Sequence, residues 1–406
     1  MISTMKTSRL KSLVQEEANR NFILENLKAD TSSLLFKFAK DEDKRLLIEQ
    51  IASRQAIRKK LPEAYNDLQR LFPPKGNLEQ SSSEAISKLK ADLVPAAKSL
   101  ADLSGGFGID FLYLMQKFEQ GHFVEPNEEL CEMSSLNLRR LLPQKEIHFY
   151  PVTAESFIEQ NKTPFDFIYL DPSRRDLAHR PLYRPEEYQP NILAIKSELL
   201  KLSKQVYVKM SPMISIPEYL QILPETQEVW ILSERNECKE VGFLLGREPK
   251  GGVKIRTYNL LLEGQQKYES EWGELANIEL SEIHQYLYLP NSSILKAGIQ
   301  DQVAQDLKLG KLDPNSHLYS SPELIEKFPG RIFLLKDIHK AYAKSLRSKA
   351  LQVISRNFPD SPEFISRKLK LKAKGAKDYL IATKQSGKPV FIEASLYVPS
   401  LERNGG

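Results

Sequence analysis

The stretch Asp102-Leu103-Ser104-Gly105-Gly106-Phe107-Gly108, set between an apolar run and the amphipathic segment 109–118, decides the fold. It predicts a strand that ends in an acid, then a tight glycine turn and a helix. Glycine suits such a turn because a Cβ would restrict φ and keep a ligand away from the backbone N–H groups and the helix N-terminus. Gly-Gly-x-Gly turns also join strands to helices without binding anything, so the interpretation depends on residues farther along the chain.

The composition narrows the class of protein. The 406 residues are 41% hydrophobic and 27% charged, which is typical of a soluble globular protein of two or three domains. Cys131 and Cys238 offer neither a disulfide framework nor a metal cluster, and the six histidines are scattered, so we expect no metal site. The sequence has no apolar run near the roughly 18 residues of a membrane span and no signal-peptide core. These features predict a cytoplasmic protein with no membrane partner.

Charge is distributed unevenly along the chain. Residues 331–406 contain 16 Lys and Arg against 6 Asp and Glu, a net charge of +10, whereas residues 1–330 carry a net charge of about −5. A basic C-terminal module indicates an anionic polymer as partner, and a solvated basic face is the alternative. Arg54, Arg58, Lys59 and Lys60 form a second basic cluster near the N-terminus.

Periodicity predicts the domain organisation. Residues 1–78 are poor in glycine and show the 3.6-residue apolar spacing of helices. From residue 100 to about 262, apolar strands alternate with helices as in a parallel sheet, and an antiparallel hairpin around residues 233–238 closes it. A polar run at 263–279 marks a boundary, and mixed α+β structure follows. We therefore predict a helical domain at 1–78, a Rossmann-like domain at 79–262, a small α+β domain at 275–330 and a basic domain at 331–406.

Polar residues follow the second and third predicted strands. Glu125, followed by Pro126, lies twenty residues beyond Gly105, the spacing at which the acid of a dinucleotide site binds ribose hydroxyls. The alternative is an acid in the first turn of the next helix. At the end of the third strand, Thr153-Ala154-Glu155 offers side chains for a purine edge, or an ordinary helix cap.

The fourth predicted strand ends in Asp171-Pro172-Ser173-Arg174-Arg175. An acid followed by proline at this position opens into the crevice where open α/β sheets bind ligands. Proline fixes the turn. Arg174 and Arg175 are expected either to clamp phosphates or to pair with nearby acids.

Taken in order, these motifs resemble a class I S-adenosylmethionine-dependent methyltransferase, and the whole chain resembles bacterial methyltransferases with a C-terminal THUMP-like domain. The resemblance implies an α/β fold with a Rossmann-like seven-stranded sheet, mostly parallel with an antiparallel closing hairpin. It also implies S-adenosylmethionine as cofactor and, through the THUMP-like module, RNA as partner. A nicotinamide enzyme is disfavoured, since no third glycine follows Gly108.

The resemblance also implies roles for individual residues, according to their positions in the family's motifs. The resemblance places Asp102, Gly106 and Gly108 at the methionine end of the cofactor and Glu125 at its ribose, with residues 80–84 closing over it. Ser104 replaces the usual first glycine. The predicted cofactor-binding residues are Asp102, Ser104, Gly105, Gly106, Gly108, Glu125, Pro126, Thr153, Ala154 and Glu155, the catalytic residues are Asp171 and Pro172, and the substrate-binding residues are Arg174 and Arg175.

Asp171-Pro172 resembles the Asp/Asn-Pro-Pro-aromatic signature of enzymes that methylate exocyclic amines, although Ser173 replaces the second proline and Arg174 the aromatic. We therefore predict methylation of a base nitrogen of structured RNA, with Asp171 orienting the amine. Methylation of a pyrimidine carbon is disfavoured because no cysteine follows the fifth strand. The alternatives are a non-catalytic RNA-binding or assembly protein with a degenerate methyltransferase fold, and a methyltransferase with a non-RNA acceptor.

Overall fold

The computed structural model describes residues 2–173, 182, 184–247 and 251–398. The chain divides into two units, the first made of Met1–Val229 and Lys239–Gly251 and the second of Trp230–Cys238 and Gly252–Gly406. Among the described residues, no helix has both the length and the apolar character needed to cross a bilayer.

Short helices fill the start of the first unit, as the glycine-poor sequence predicts. They are α1 (Ile2–Gln15), α2 (Glu17–Asn26), α3 (Thr31–Lys37), α4 (Glu42–Ile57), α5 (Pro62–Asn66) and α6 (Lys75–Gln80). Asp30 begins α3 by accepting the N–H of Ser33 at 2.9 Å, which satisfies a donor that the helix itself leaves unpaired. Ile23, Leu47 and Ile51 are fully buried and form the core between these helices.

One residue of the predicted N-terminal basic cluster is not on the surface. Arg54 is fully buried and donates to the carbonyl oxygens of Tyr65 and Arg70, each at 3.0 Å, and its guanidinium lies over the ring of Phe72. Burial lowers its pKa to about 10. Arg54 therefore stabilises the helical region and does not offer its charge to a partner.

Strands and helices then alternate through the first unit. They are α7 (Glu84–Leu93), β1 (Ala97–Asp102), α8 (Ile109–Leu114), β2 (Phe118–Val124), α9 (Glu128–Leu141), β3 (Glu146–Tyr150), α10 (Ala154–Gln160), β4 (Phe167–Leu170), α11 (Ile192–Leu202), β5 (Gln205–Met210), α12 (Ile216–Ile222), β6 (Thr226–Glu234) and β7 (Glu237–Gly246). Short 3-10 helices cover Met115–Lys117 and Pro185–Glu187.

The strand order places the site. The parallel strands run β3-β2-β1-β4-β5, and β7 pairs antiparallel with β5, which confirms the predicted closing hairpin. Strands β2 and β4 flank β1 on opposite sides, so the direction of strand succession reverses there. At such a reversal the carboxyl ends of neighbouring strands leave a crevice, the usual ligand site of open α/β sheets.

The sheet has nine strands where the sequence predicts seven, in the order β3-β2-β1-β4-β5-β7-β6-β8-β9. The additional strands are β8 (Lys254–Leu260) and β9 (Gln265–Glu271), which pair antiparallel in the second unit. Strand β9 lies in the polar run predicted to be a boundary. Its side chains are exposed or half-buried along its whole length, so no apolar alternation reveals it in the sequence.

The remainder of the second unit is α+β. Its elements are β10 (Tyr286–Pro290), α13 (Ser292–Ala297), α14 (Gln300–Asp306), β11 (Gly310–Lys311), β12 (Tyr319–Ser321), β13 (Gly330–Lys340), the 3-10 helix Lys344–Leu346, β14 (Leu351–Ser355), α15 (Pro362–Leu369), β15 (Asp378–Gln385) and β16 (Lys388–Leu396). One sheet of order β11-β12-β10-β13-β16-β15-β14 joins the strands. Helices α13 and α14 are separate because Gly298, with φ +74°, ends the first.

Candidate active site

The glycine turn after β1 needs its glycines. The N–H of Gly105 donates to the carbonyl oxygen of Val124 at 2.9 Å, and a Cβ on Gly105 would lie 2.4 Å from Cζ of Phe123. Gly106 and Gly108 have φ values of +54° and +77°, which favour glycine over other residues. The turn is thereby pressed against the end of β2, and α8 starts directly from it.

Glu125 faces this turn. One carboxylate oxygen accepts the N–H of Gly106 at 2.9 Å, and the other accepts the N–H of Asn127 at 2.9 Å. Glu125 is 9% exposed, and burial raises its pKa. Each carboxylate oxygen can accept a second hydrogen bond, so the two bonds fix the orientation of Glu125 and leave capacity for a ligand's hydroxyls.

Asp102 lies buried at the end of β1. Its Oδ1 accepts from the backbone N–H and the hydroxyl of Ser104, at 2.9 and 3.1 Å. Burial raises the pKa of Asp102 to about 7. The Ser104 hydroxyl also accepts the N–H of Asp171 at 2.7 Å, so the residue that replaces a fingerprint glycine ties the ends of β1 and β4 together.

The residues after β3 serve local structure. Thr153 is exposed and caps α10, accepting the N–H of Ser156 at 3.2 Å, and Ala154 is buried in the first turn. Glu155 accepts the N–H of Asn191 at 3.4 Å. These contacts are those of the helix-cap alternative, and a role in binding a purine stays a prediction. Pro126 is exposed.

The loop after β4 is described in part. Pro172 is buried, and Ser173 exchanges backbone hydrogen bonds with Gln189 at 2.7 and 3.2 Å. Arg174 and Arg175 lie outside the described residues, so their predicted role on phosphates stays a prediction.

Asp171 belongs to a largely buried cluster of charged side chains that the sequence did not predict. Its cations are Lys209 on β5 and Lys90 on α7. Lys209 Nζ donates to Asp171 Oδ2 at 2.6 Å and lies 3.8 Å from Asp110 Oδ2. Lys90 Nζ lies 2.7 Å from Asp110 Oδ1 and 3.0 Å from Glu240 Oε2. We call these five residues the charge cluster.

Two tyrosines complete the hydrogen bonding of the charge cluster. Tyr169 donates to Asp110 at 2.7 Å, and Tyr207 donates to Glu240 at 3.2 Å. Their rings stack with centroids 5.8 Å apart. A Cβ on Gly242 would lie 1.9 Å from the Tyr207 hydroxyl oxygen, so glycine makes room for this contact. A charge buried in this way is tolerated only when it is paired and hydrogen-bonded.

The segment predicted to close over the cofactor contributes to the same cluster. The Ser82 hydroxyl donates to Asp110 Oδ2 at 2.8 Å. The only trace of the cluster in the sequence is Lys209, the single charge in strand β5. Within the described ranges, no group of three or more His, Cys, Asp and Glu has the arrangement of a metal site.

The C-terminal part of the chain matches two known protein families. Residues 286–329 match a family described as a ferredoxin-like domain, and residues 330–395 match one described as THUMP domain-like. The structure of a "putative methyltransferase" from Porphyromonas gingivalis W83 superposes with a TM-score of 0.83 at 29% identity, covering 94% of this chain and 98% of that one. The chain combines the methyltransferase fold with a THUMP-like domain. This confirms the α/β fold class that the sequence predicts.

Two further structures are similar over less of the chain. A "putative RNA methyltransferase" from Pyrococcus horikoshii has a TM-score of 0.32 at 14% identity, covering 43% of this chain and 91% of that one. A "putative methyltransferase" from Streptococcus mutans in complex with SAH has a TM-score of 0.31 at 10% identity, covering 40% and 96%. With TM-scores this low, neither structure is evidence for the function of this chain. The curated proteins contain no match.

Proposed function

We propose that this protein transfers the methyl group of S-adenosylmethionine to RNA. The observation that carries the proposal is the position of Glu125: a carboxylate nine-tenths buried, hydrogen-bonded at 2.9 Å to the glycine turn at the point where strand succession reverses. An acid in that place fits the cis-diol of a nucleoside, since each oxygen can accept from one hydroxyl.

The residues around Glu125 suit the rest of this cofactor. At Gly106 a Cβ would point into open space, with the nearest heavy atom, the Ser104 carbonyl oxygen, 3.7 Å away, so there is room for a ligand against the backbone. The carboxyl of Asp102 is suited to the cofactor's ammonium group, because a cation favours the charged form of a buried acid. When bound, the cofactor supplies a methyl carbon made electrophilic by its sulfonium.

The second unit supports RNA as the partner. THUMP modules are associated with RNA binding, and residues 331–406 carry a net charge of +10. The exposed basic residues between 344 and 377 are Lys344, Arg347, Arg367, Lys368, Lys370, Lys372, Lys374 and Lys377. Six of these eight residues lie on helix α15 and the loop after it. Such a density of exposed cations favours contact with a phosphate backbone.

The next question is which atom of the RNA accepts the methyl group. The sequence predicts an exocyclic amine of a base, because Asp171-Pro172 resembles the amine-methylating signature. In that chemistry the carboxylate accepts an N–H of the amine and aims its lone pair at the methyl carbon. The contact between Lys209 and Asp171 bears directly on this choice, because it places a cation where an amine would have to lie.

The test is transfer of a labelled methyl group. Total RNA from a strain lacking the gene is incubated with tritium-methyl S-adenosylmethionine and the purified protein, and the label in RNA is counted. We expect transfer by the wild type, loss with Glu125→Ala, and full transfer with Glu128→Ala, a control at an exposed acid in the first turn of α9. No transfer by the wild type favours the non-catalytic alternative. Equal transfer by Glu125→Ala removes Glu125 from the site.

A further inference from the structure

The charge cluster opens to its surroundings at one end. The side chain of Asp171 is 36% exposed and that of Lys209 is 11% exposed, whereas those of Lys90, Asp110 and Glu240 are 1%, 10% and 2% exposed. An acceptor that reaches the end of β4 therefore meets Asp171 and Lys209 together, 2.6 Å apart, and not a carboxylate alone.

Lys209 is held in its charged form. Burial alone would lower the pKa of Lys209, but the carboxylates of Asp171, Asp110 and Glu240 raise it above its ordinary value. The ammonium group is therefore a permanent hydrogen-bond donor at this edge of the sheet, and it has no acceptor capacity.

An amine and a hydroxyl would meet this pair differently. An exocyclic amine presents two N–H donors, so its partners should be acceptors, and an ammonium beside it would repel those hydrogens and compete for the lone pair. A hydroxyl presents one donor and two acceptor lone pairs. It can donate to Asp171 and accept from Lys209 at the same time.

The two acceptors also differ in what they require of the protein. A neutral hydroxyl is a weak nucleophile, and its attack needs a base for the proton and a cation beside the oxygen as negative charge develops. The signature for amines accepts either Asp or Asn in the first position, so a charged carboxylate is not required there. A carboxylate paired with a buried ammonium supplies both the base and the cation that methylation of a hydroxyl requires.

We propose that the acceptor is a hydroxyl oxygen of RNA, the ribose 2′-hydroxyl, bound between Asp171 and Lys209; this rests on the proposed function of the same site. The hydroxyl proton passes to the Asp171 carboxylate, and an oxygen lone pair forms the new O–C bond. The C–S bond breaks, and its electron pair stays on the sulfur, which becomes neutral. Lys209 donates a hydrogen bond to the oxygen throughout. Lys90, Asp110 and Glu240 are positioning residues that hold Lys209.

The position of the methyl group in the product distinguishes a hydroxyl acceptor from an amine acceptor. RNA labelled as above is hydrolysed to completion in alkali. A 2′-O-methyl group blocks cleavage of the adjacent phosphodiester, so the label is expected in alkali-stable dinucleotides. Label in mononucleotides means base methylation, which overturns the hydroxyl acceptor while the RNA methyltransferase stands. No label at all overturns both proposals.

Two substitutions test the roles of the pair. Asp171→Asn keeps the shape and an acceptor oxygen but cannot take a proton, and we expect transfer to fall by about 10²-fold or more. Lys209→Met is expected to cost about 10²-fold in kcat. Calorimetric binding of S-adenosylmethionine should stay within about threefold for both, which also shows that the variants are folded. The control is Lys201→Met, at a lysine on α11 that is 70% exposed. Transfer by Asp171→Asn close to that of the wild type contradicts the proposal.

Discussion

Replacing Lys90 by methionine probes the charge cluster most sharply. Lys90 is 1% exposed, and its ammonium lies 2.7 Å from Asp110 and 3.0 Å from Glu240. Methionine fills much of the same space but leaves two buried carboxylates with Lys209, 3.8 Å from Asp110, as the remaining cation of the cluster. Breaking a buried pair in this way costs about 3–5 kcal/mol, because a charge stays in the interior without its partner.

Lys88→Met is the matched control. Lys88 lies two residues earlier on α7 and pairs with Glu63, but the two side chains are 46% and 60% exposed. Such a surface pair contributes about 0–1 kcal/mol.

Urea unfolding followed by circular dichroism compares the two variants. With a denaturant slope of about 3 kcal/mol/M, Lys90→Met should lower the midpoint by about 1 M or more, and Lys88→Met by a small fraction of that. In Lys90→Met/Glu240→Gln, one stranded charge is removed, and part of the lost stability should return. If Lys90→Met is no more destabilising than Lys88→Met, the burial and pairing of this cluster are refuted.

Three further predictions concern the turn, its acid and the second unit. Gly105→Ala should destabilise by about 1–3 kcal/mol through overpacking, whereas Gly76→Ala, with nothing within 4 Å of its Cβ, should not; thermal melts compare them, and equal melting temperatures contradict the clash. Asp102 holds its proton to about pH 7 when folded and to about 3.9 when unfolded, so the stability it contributes is present below pH 4 and is lost as pH rises through 7. Asp102→Asn should flatten that decline in urea unfolding measured from pH 5 to 8; an unchanged decline contradicts the assignment. Lys372→Ala and Lys374→Ala should each reduce the slope of log affinity for RNA against log salt by about 0.7–0.9 in filter binding, and unchanged slopes would remove these lysines from the phosphate contacts.

The sheet could be predicted because its strands are recognisable in the sequence. Asp102 is the last residue of strand β1, and Glu125 and Asp171 directly follow strands β2 and β4, each after apolar residues. Since parallel strands place their carboxyl ends at one edge, residues that are far apart in sequence could be assigned to one crevice from spacing alone.

The charge cluster was not predictable in the same way. Lys90 and Glu240 are 150 positions apart, and each has other charged residues near it, Lys88 and Asp92 in one segment and Lys239 in the other. An ion pair leaves no periodic signal in the sequence. The sequence therefore shows that Lys209 is a charged residue in an apolar strand, but it does not show which acids pair with it. The same limit explains Arg54, whose neighbours Arg58 and Lys59 are exposed while Arg54 itself points into the helical core.

Titration of S-adenosylmethionine into the purified protein by calorimetry tests the central claim most directly. We expect one molecule bound per chain, at least tenfold weaker binding by Glu125→Ala, and unchanged binding by Glu128→Ala. A tenfold loss corresponds to about 1.4 kcal/mol, the size of one hydrogen bond to a charged group. Absence of binding by the wild type, or equal binding by Glu125→Ala, would contradict the cofactor site described at the glycine turn.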